Sequence, residues 1–186
     1  MLSKATSTLW KHLSPFSLVN LRLFSTLRVG IDEAGRGAVL GPLVISAVLL
    51  KEEDEERLKS IGVRDSKQMT PQKRFEAYDI ILEKAIRSCS VHMSSLSIDK
   101  KRALGLSMNQ IEENHIFELL RRFQDSEVDS IVIDAFVSKN HRLEREASRM
   151  FPDIEVVCAF HADANYTCVA AASVIAKVGL VIWDEK

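Results

Sequence analysis

Residues 28–50 read RVGIDEAGRGAVLGPLVISAVLL, and the rest of the chain is organised around them. From Arg28 to Ile31 the residues form a short apolar strand that runs into two adjacent acids, Asp32 and Glu33. Gly35-Arg36-Gly37 marks a turn and Gly41-Pro42 a second one. Leu43 to Leu50 is then an unbroken apolar run, the pattern of a strand buried on both faces. Neighbouring strand residues point to opposite faces, so a regular strand cannot aim Asp32 and Glu33 into one site. The strand is therefore expected to break at Glu33, which Ala34-Gly35 permits.

Beyond this segment, the charged run Lys51 to Lys59 reads as a solvated loop or helix start. Thr70-Pro71 opens a helix, with Thr as N-cap and Pro at the first helical position. Phe75, Tyr78, Ile81, Leu82 and Ala85 follow at helical spacing. Residues 90–98 alternate loosely, as a strand does. Residues 109–123 predict an amphipathic helix with Ile111, Ile116, Leu119, Leu120 and Phe123 inward. A short buried strand, Ser130 to Ile133, ends at Asp134. A helix over 143–150, a strand over 154–157 and an alanine-rich helix over 166–178 complete the chain. Strands alternating with helices predict an α/β fold with a mixed central β-sheet flanked by helices.

The chain has 186 residues, 46% hydrophobic and 27% charged, which excludes a disordered, collagen-like or disulfide-scaffold protein. No apolar run approaches the length of a membrane-spanning helix, so no membrane role is expected. Cys89, Cys158 and Cys168 lack metal-site spacing and are odd in number, which reads as reduced, mostly buried thiols in an intracellular compartment. The net charge of −1 hides an asymmetry. Residues 1–29 carry Lys4, Lys11, Arg22 and Arg28 and no acid, which leaves 21 basic against 26 acidic residues in the remainder. Residues 1–28 also hold eight Ser or Thr. They read as a basic leader, either a mitochondrial or plastid transit peptide or a disordered extension. An acidic body is unexpected for a nucleic-acid binder unless its acids hold cations.

Acids in three places follow an apolar strand: Asp32-Glu33, Asp134, and Asp163 shortly after residues 156–160. In open α/β sheets ligands sit beyond the carboxyl ends of the strands, and carboxylates converging there repel unless cations lie between them. Oxygen ligands without His or Cys suit Mg²⁺ or Mn²⁺, and two such ions serve phosphodiester cleavage. A single Asp after a strand is ordinarily a turn residue or helix cap, so the weight rests on the repetition. Gly35-Arg36-Gly37 lets the backbone approach a ligand closely while Arg36 reaches a phosphate. The cluster Arg64-Asp65-Ser66-Lys67 is another phosphate-contact loop or simply a polar turn.

The stretch GIDEAGRGAVLGPLVISAV (Gly30 to Val48) closely resembles the opening motif of the type 2 ribonucleases H, the ribonuclease HII family. Asp65-Ser66-Lys67, Val132-Ile133-Asp134-Ala135 and HADANYTCVAAASVIAKV (His161 to Val178) resemble its second, third and fourth motifs. The resemblance implies an RNase H-like fold and an endonuclease that cuts the RNA strand of RNA–DNA hybrids. It also implies incision 5′ of ribonucleotides embedded in duplex DNA. It makes Asp32, Glu33, Asp134 and Asp163 the four acids that bind two divalent ions. It makes Gly35, Arg36 and Gly37 the loop that feels the ribose 2′-hydroxyl, and Lys67 with Ser66 the phosphate holders. The expected state is a monomer, joined by accessory subunits if the source is eukaryotic.

Alanines 170–172 and Ser173 are read as small side chains that let their helix pack closely on the sheet, and His161 and Tyr166 as surface or supporting residues and core respectively. After Val178 the family pattern stops: its tyrosine-bearing loop has no match, and residues 179–186 read as a divergent tail. On that reading residues 29–178 form a catalytic domain with its C-terminal part missing. The alternative is a weakly active or inactive homologue that binds hybrids or a partner.

Overall fold

The computed structural model describes residues 25–36, 42–64, 68–135 and 141–184. Most of the expected leader (1–24) lies outside them, as do Gly37, the Gly41 turn residue, Asp65, Ser66, Lys67, Glu185 and Lys186.

Five strands form one mixed sheet: β1 (Leu27–Ala34), β2 (Leu43–Lys51), β3 (Arg87–Met93), β4 (Ser130–Asp134) and β5 (Glu155–Ala159), in the order β3-β2-β1-β4-β5. β1 pairs antiparallel with β2, and β2 with β3, while β1–β4 and β4–β5 are parallel. Both faces are covered. Leu43, Ile45, Ala47 and Leu49 of β2 point into one core, with Ile111, Leu119, Leu120 and Phe123. Val48 and Leu50 point into the other, with the alanines of the last helix. The unbroken apolar run is thus a strand buried on both sides, as its composition requires.

Seven helices are described: α1 (Glu52–Ser60), α2 (Pro71–Lys84), α3 (Ser95–Ala103), α4 (Met108–Arg121), α5 (His141–Met150), α6 (Ala162–Asn165) and α7 (Thr167–Asp184). Their starts are written locally. The Thr70 hydroxyl accepts from the Lys73 amide at 3.3 Å, with Pro71 in the first turn. Ser107 and Gln110 form a reciprocal capping box on α4. α7 lies across β1 and β2 at close range. A Cβ on Gly30 would stand 2.1 Å from the Cys168 carbonyl carbon, so only glycine admits the helix there. Ala170, Ala171, Ala172 and Ser173 are completely buried in this contact.

Several expectations are corrected. β1 does not break at Glu33: Asp32, Glu33 and Ala34 stay in register opposite Ser46, Ile45 and Val44. Residues 51–59 form mainly a helix, and it is not all wet. Glu55 and Leu58 are buried, because Glu55 accepts the Cys168 amide at 3.2 Å and pairs with Arg28 at 2.9 Å, anchoring the start of α7. Only the first part of 90–98 is strand; Ser94 caps α3, and helix follows. Phe75 and Leu82 remain exposed on α2, whose inward residues are Ala77 and Ile81. α7 continues past Val178 to Asp184, and Trp183 stacks on His92. The three cysteines are unpaired thiols; Cys168 is buried and the other two are half-buried. Among the described residues, no helix is long and apolar enough to cross a membrane.

Candidate active site

The register of the parallel pair builds the site. Ile31 lies opposite Ile133, so the next residues, Asp32 and Asp134, leave neighbouring strands at their carboxyl ends. Both belong to the face covered by α7, since the preceding same-face residue of β4, Val132, packs into the α7 core. Asp134 Oδ1 accepts the Ala162 amide at 2.7 Å. That bond ties the end of β4 to the first turn of α6, where Asp163 follows, 2% exposed and with Oδ2 shielded from solvent. His161, just before it, takes a left-handed conformation (φ 58°) that turns the chain from β5 into α6.

Asp32 is buried, and its carboxyl is pushed well above the usual range, first by burial and then by the charges of Glu33 and Asp134. The Ser173 hydroxyl and the Lys177 ammonium oppose that rise. Lys177 Nζ donates to Ser173 Oγ at 2.5 Å, so two residues one turn apart on α7 stabilise the ionised form of Asp32. Ser173 is thus more than a small packing residue. Lys177 was not among the residues singled out from the sequence. Their i, i+4 spacing on the inward face of an otherwise apolar helix was the available signal.

Glu33 leaves β1 on the opposite face, toward α4, but at this end of the sheet its carboxyl still meets that of Asp32 through a side-chain hydrogen bond. Burial, then the charges of Glu112 and Asp134, raise its pKa to about 7. Glu112 is 1% exposed and raised to about 7, first by burial, with Arg36 opposing. Arg36 Nε lies 2.8 Å from Glu112 Oε1, and its Nη2 donates to Asn109 Oδ1 at 2.6 Å. Gly35 has φ 92°, and a Cβ there would stand 2.2 Å from the Pro42 carbonyl oxygen, so the turn demands glycine. Glu33, Gly35, Arg36 and Lys177 line one cavity of about 450 Å³. Gly37, Ser66 and Lys67 lie outside the described residues.

The structure therefore brings Asp32, Glu33, Asp134 and Asp163 to one end of the sheet, three on the α7 side and Glu33 on the α4 side. The donors are all oxygen: Asp32 and Asp163 are buried, Glu33 and Asp134 half-buried, and Asp32 and Glu33 each feel the repelling charge of Asp134, which is the chemistry of a hard divalent cation. Among the described residues, no three His, Cys, Asp or Glu side chains form a ready-made metal cage.

A five-stranded mixed sheet flanked by helices, with acids at the carboxyl ends of its parallel strands, is an RNase H-like fold. The PCNA:RNase HII complex of Archaeoglobus fulgidus contains a chain that superposes with a TM-score of 0.75 at 33% identity, over 86% of this chain and 75% of that one. A ribonuclease HIII (Bst-RNase HIII) in complex with Mn²⁺ superposes at 0.70 over 91% of this chain and 56% of that one; at 23% identity it shows the fold alone. The family model described as ribonuclease HII matches residues 29–182. The ribonuclease HII of Methanothermobacter thermautotrophicus is 41% identical over 151 residues, 81% of this chain and 71% of that protein. The chain belongs to the ribonuclease HII family, and with that to the ribonuclease H enzymes.

Proposed function

We propose that this chain cuts the RNA strand of RNA–DNA hybrids and incises 5′ of single ribonucleotides embedded in duplex DNA. In this reading it acts as a monomer, with two divalent ions, Mg²⁺ or Mn²⁺, held by Asp32, Glu33, Asp134 and Asp163. The observation that carries the reading is the register of β1 and β4, which sets Asp32 beside Asp134, together with the Ala162 amide bond that draws Asp163 to them. Bound at such a cluster, divalent ions supply an activated water and charge stabilisation at the leaving 3′-oxygen. The chain's own residues do the rest. Ser173 and Lys177 favour the ionised form of Asp32, and so keep it available as a ligand. The Gly35 turn brings backbone polar groups close to the acids, where they meet a ribose 2′-hydroxyl, the group that separates RNA from DNA. Ser66 and Lys67 hold backbone phosphate.

The test is a DNA duplex carrying one ribonucleotide, incubated with Mg²⁺ or Mn²⁺. The wild type incises it 5′ of the ribonucleotide, and Asp134→Asn loses roughly a hundredfold or more of that rate. Equal cutting by the variant, or cutting of an all-DNA duplex at the same rate, rejects the reading.

A further inference from the structure

The Arg36 turn directly follows the acid pair, and α4 holds its side chain from two positions. Glu112 takes Nε at 2.8 Å and Asn109 takes Nη2 at 2.6 Å. These residues are three apart on α4, hence on one face of the helix. The Glu112 carboxylate is almost completely buried, and a buried carboxylate is costly without a cation to match it. The helix that carries it is itself well fixed. Its first turn has the Ser107–Gln110 capping box, and the next residue, Glu113, pairs with Arg142 at the start of α5. Two consecutive glutamates thus grip the segments that follow both acid-bearing strands, β1 and β4. Arg36 keeps about a third of its side-chain surface exposed (32%) and lines the cavity it shares with Glu33.

We infer that Glu112, assisted by Asn109, is a positioning residue that orients Arg36 to receive a phosphodiester oxygen of the nucleic acid beside the acids. The inference rests on the proposed function for its substrate class. Arg36 touches the substrate; Glu112 acts only through Arg36. A flexible arginine would lose much of its affinity by having to be ordered at each binding event, and the pair with Glu112 orders it beforehand.

The experiment is a double-mutant cycle on duplex binding, read by fluorescence anisotropy with a DNA duplex that carries one ribonucleotide. Glu112→Gln and Arg36→Ala each raise Kd about tenfold, and the double variant binds no worse than either single one. At saturating substrate Glu112→Gln changes kcat less than it changes Kd, because Glu112 acts through Arg36 and is not one of the four acids. A Kd for Glu112→Gln within twofold of the wild type, or effects that multiply in the double variant, overturns the inference. So does a fall in kcat with Kd unchanged. Should Glu112→Gln fail to fold, Asn109→Ala takes its place in the same cycle: a raised Kd that does not multiply with Arg36→Ala supports the inference, and an unchanged Kd overturns it. A wild type that binds the duplex without cutting it rejects the proposed function and leaves the cycle readable. A wild type that does not bind rejects both.

Discussion

Asp32 and Glu33 are adjacent, yet they meet different surroundings, because β1 stays regular through Ala34. Asp32 turns toward Ser173 and Lys177, and Glu33 toward Glu112 and Arg36. Both feel Asp134 at the strand end. Their raised pKa values have a consequence for stability. Glu33 titrates near 4.5 when unfolded and about 7 when folded, so between those values the folded chain binds more protons. Its contribution to stability is complete below about pH 4.5 and is lost as the pH rises through 7; Glu112, raised likewise, adds to the slope. Metal-free protein in EDTA is therefore expected to melt at lower temperature at pH 8 than at pH 5, and Glu33→Gln to flatten the difference. A melting temperature that climbs steadily over this range contradicts the assignment. Proton and metal compete for the same oxygens, so cleavage is expected to rise with pH up to about 7 and to lose that rise's steepness at high Mn²⁺.

At the scale of elements, the decisive contact is α7 on β1. Gly30 meets the backbone of Cys168 and Val169, and this approach brings Ser173 within reach of Asp32. Gly30→Ala inserts a methyl group where backbone atoms already stand. It is expected to destabilise the fold by about 3 kcal/mol or more, measured by denaturant unfolding, whereas Gly62→Ala meets no atom within 4 Å and bears only the strain of its positive φ. Equal effects at the two sites would show that the close approach is not what Gly30 serves. The start of α7 depends on a second device, the Glu55 carboxylate that accepts the Cys168 amide and pairs with Arg28. Glu55→Ala leaves the amide and Arg28 without that acceptor, and a loss of roughly 1–3 kcal/mol is expected in the same measurement. The charged composition of residues 51–59 hid this role. A buried glutamate with two partners cannot be told from a solvated one by local sequence.

Over the whole molecule, the acidic body and the acid cluster are one subject. Buried, repelling carboxylates destabilise the metal-free fold, so a cation that binds only the folded state is expected to stabilise it by mass action. Mn²⁺ or Mg²⁺ at about a hundred times its dissociation constant is expected to raise the melting temperature by about 5–10 °C. The rise is expected to be larger at pH 8 than at pH 5, and to shrink in Asp134→Asn. Calorimetry or thermal fluorescence checks this, and an equal rise in that variant would place the metal elsewhere.

The strands, the capped start of α2, the amphipathic α4 and the placing of four acids at or just after strands were legible in the sequence, because apolar periodicity, N-cap chemistry and strand-end position are local properties. The apolar run 43–50 admitted only a strand covered on both sides, and the ordered motifs restricted the family. Tertiary structure alone decided the rest. It kept β1 regular through Glu33, because β2 offers hydrogen-bonding partners as far as Val44. It sent the two adjacent acids to opposite faces, made Ser173 and Lys177 partners of Asp32, and buried Glu112 against Arg36, 76 residues earlier in the chain. Such pairs arise from register and helix packing between distant segments, and no spacing along the chain records them.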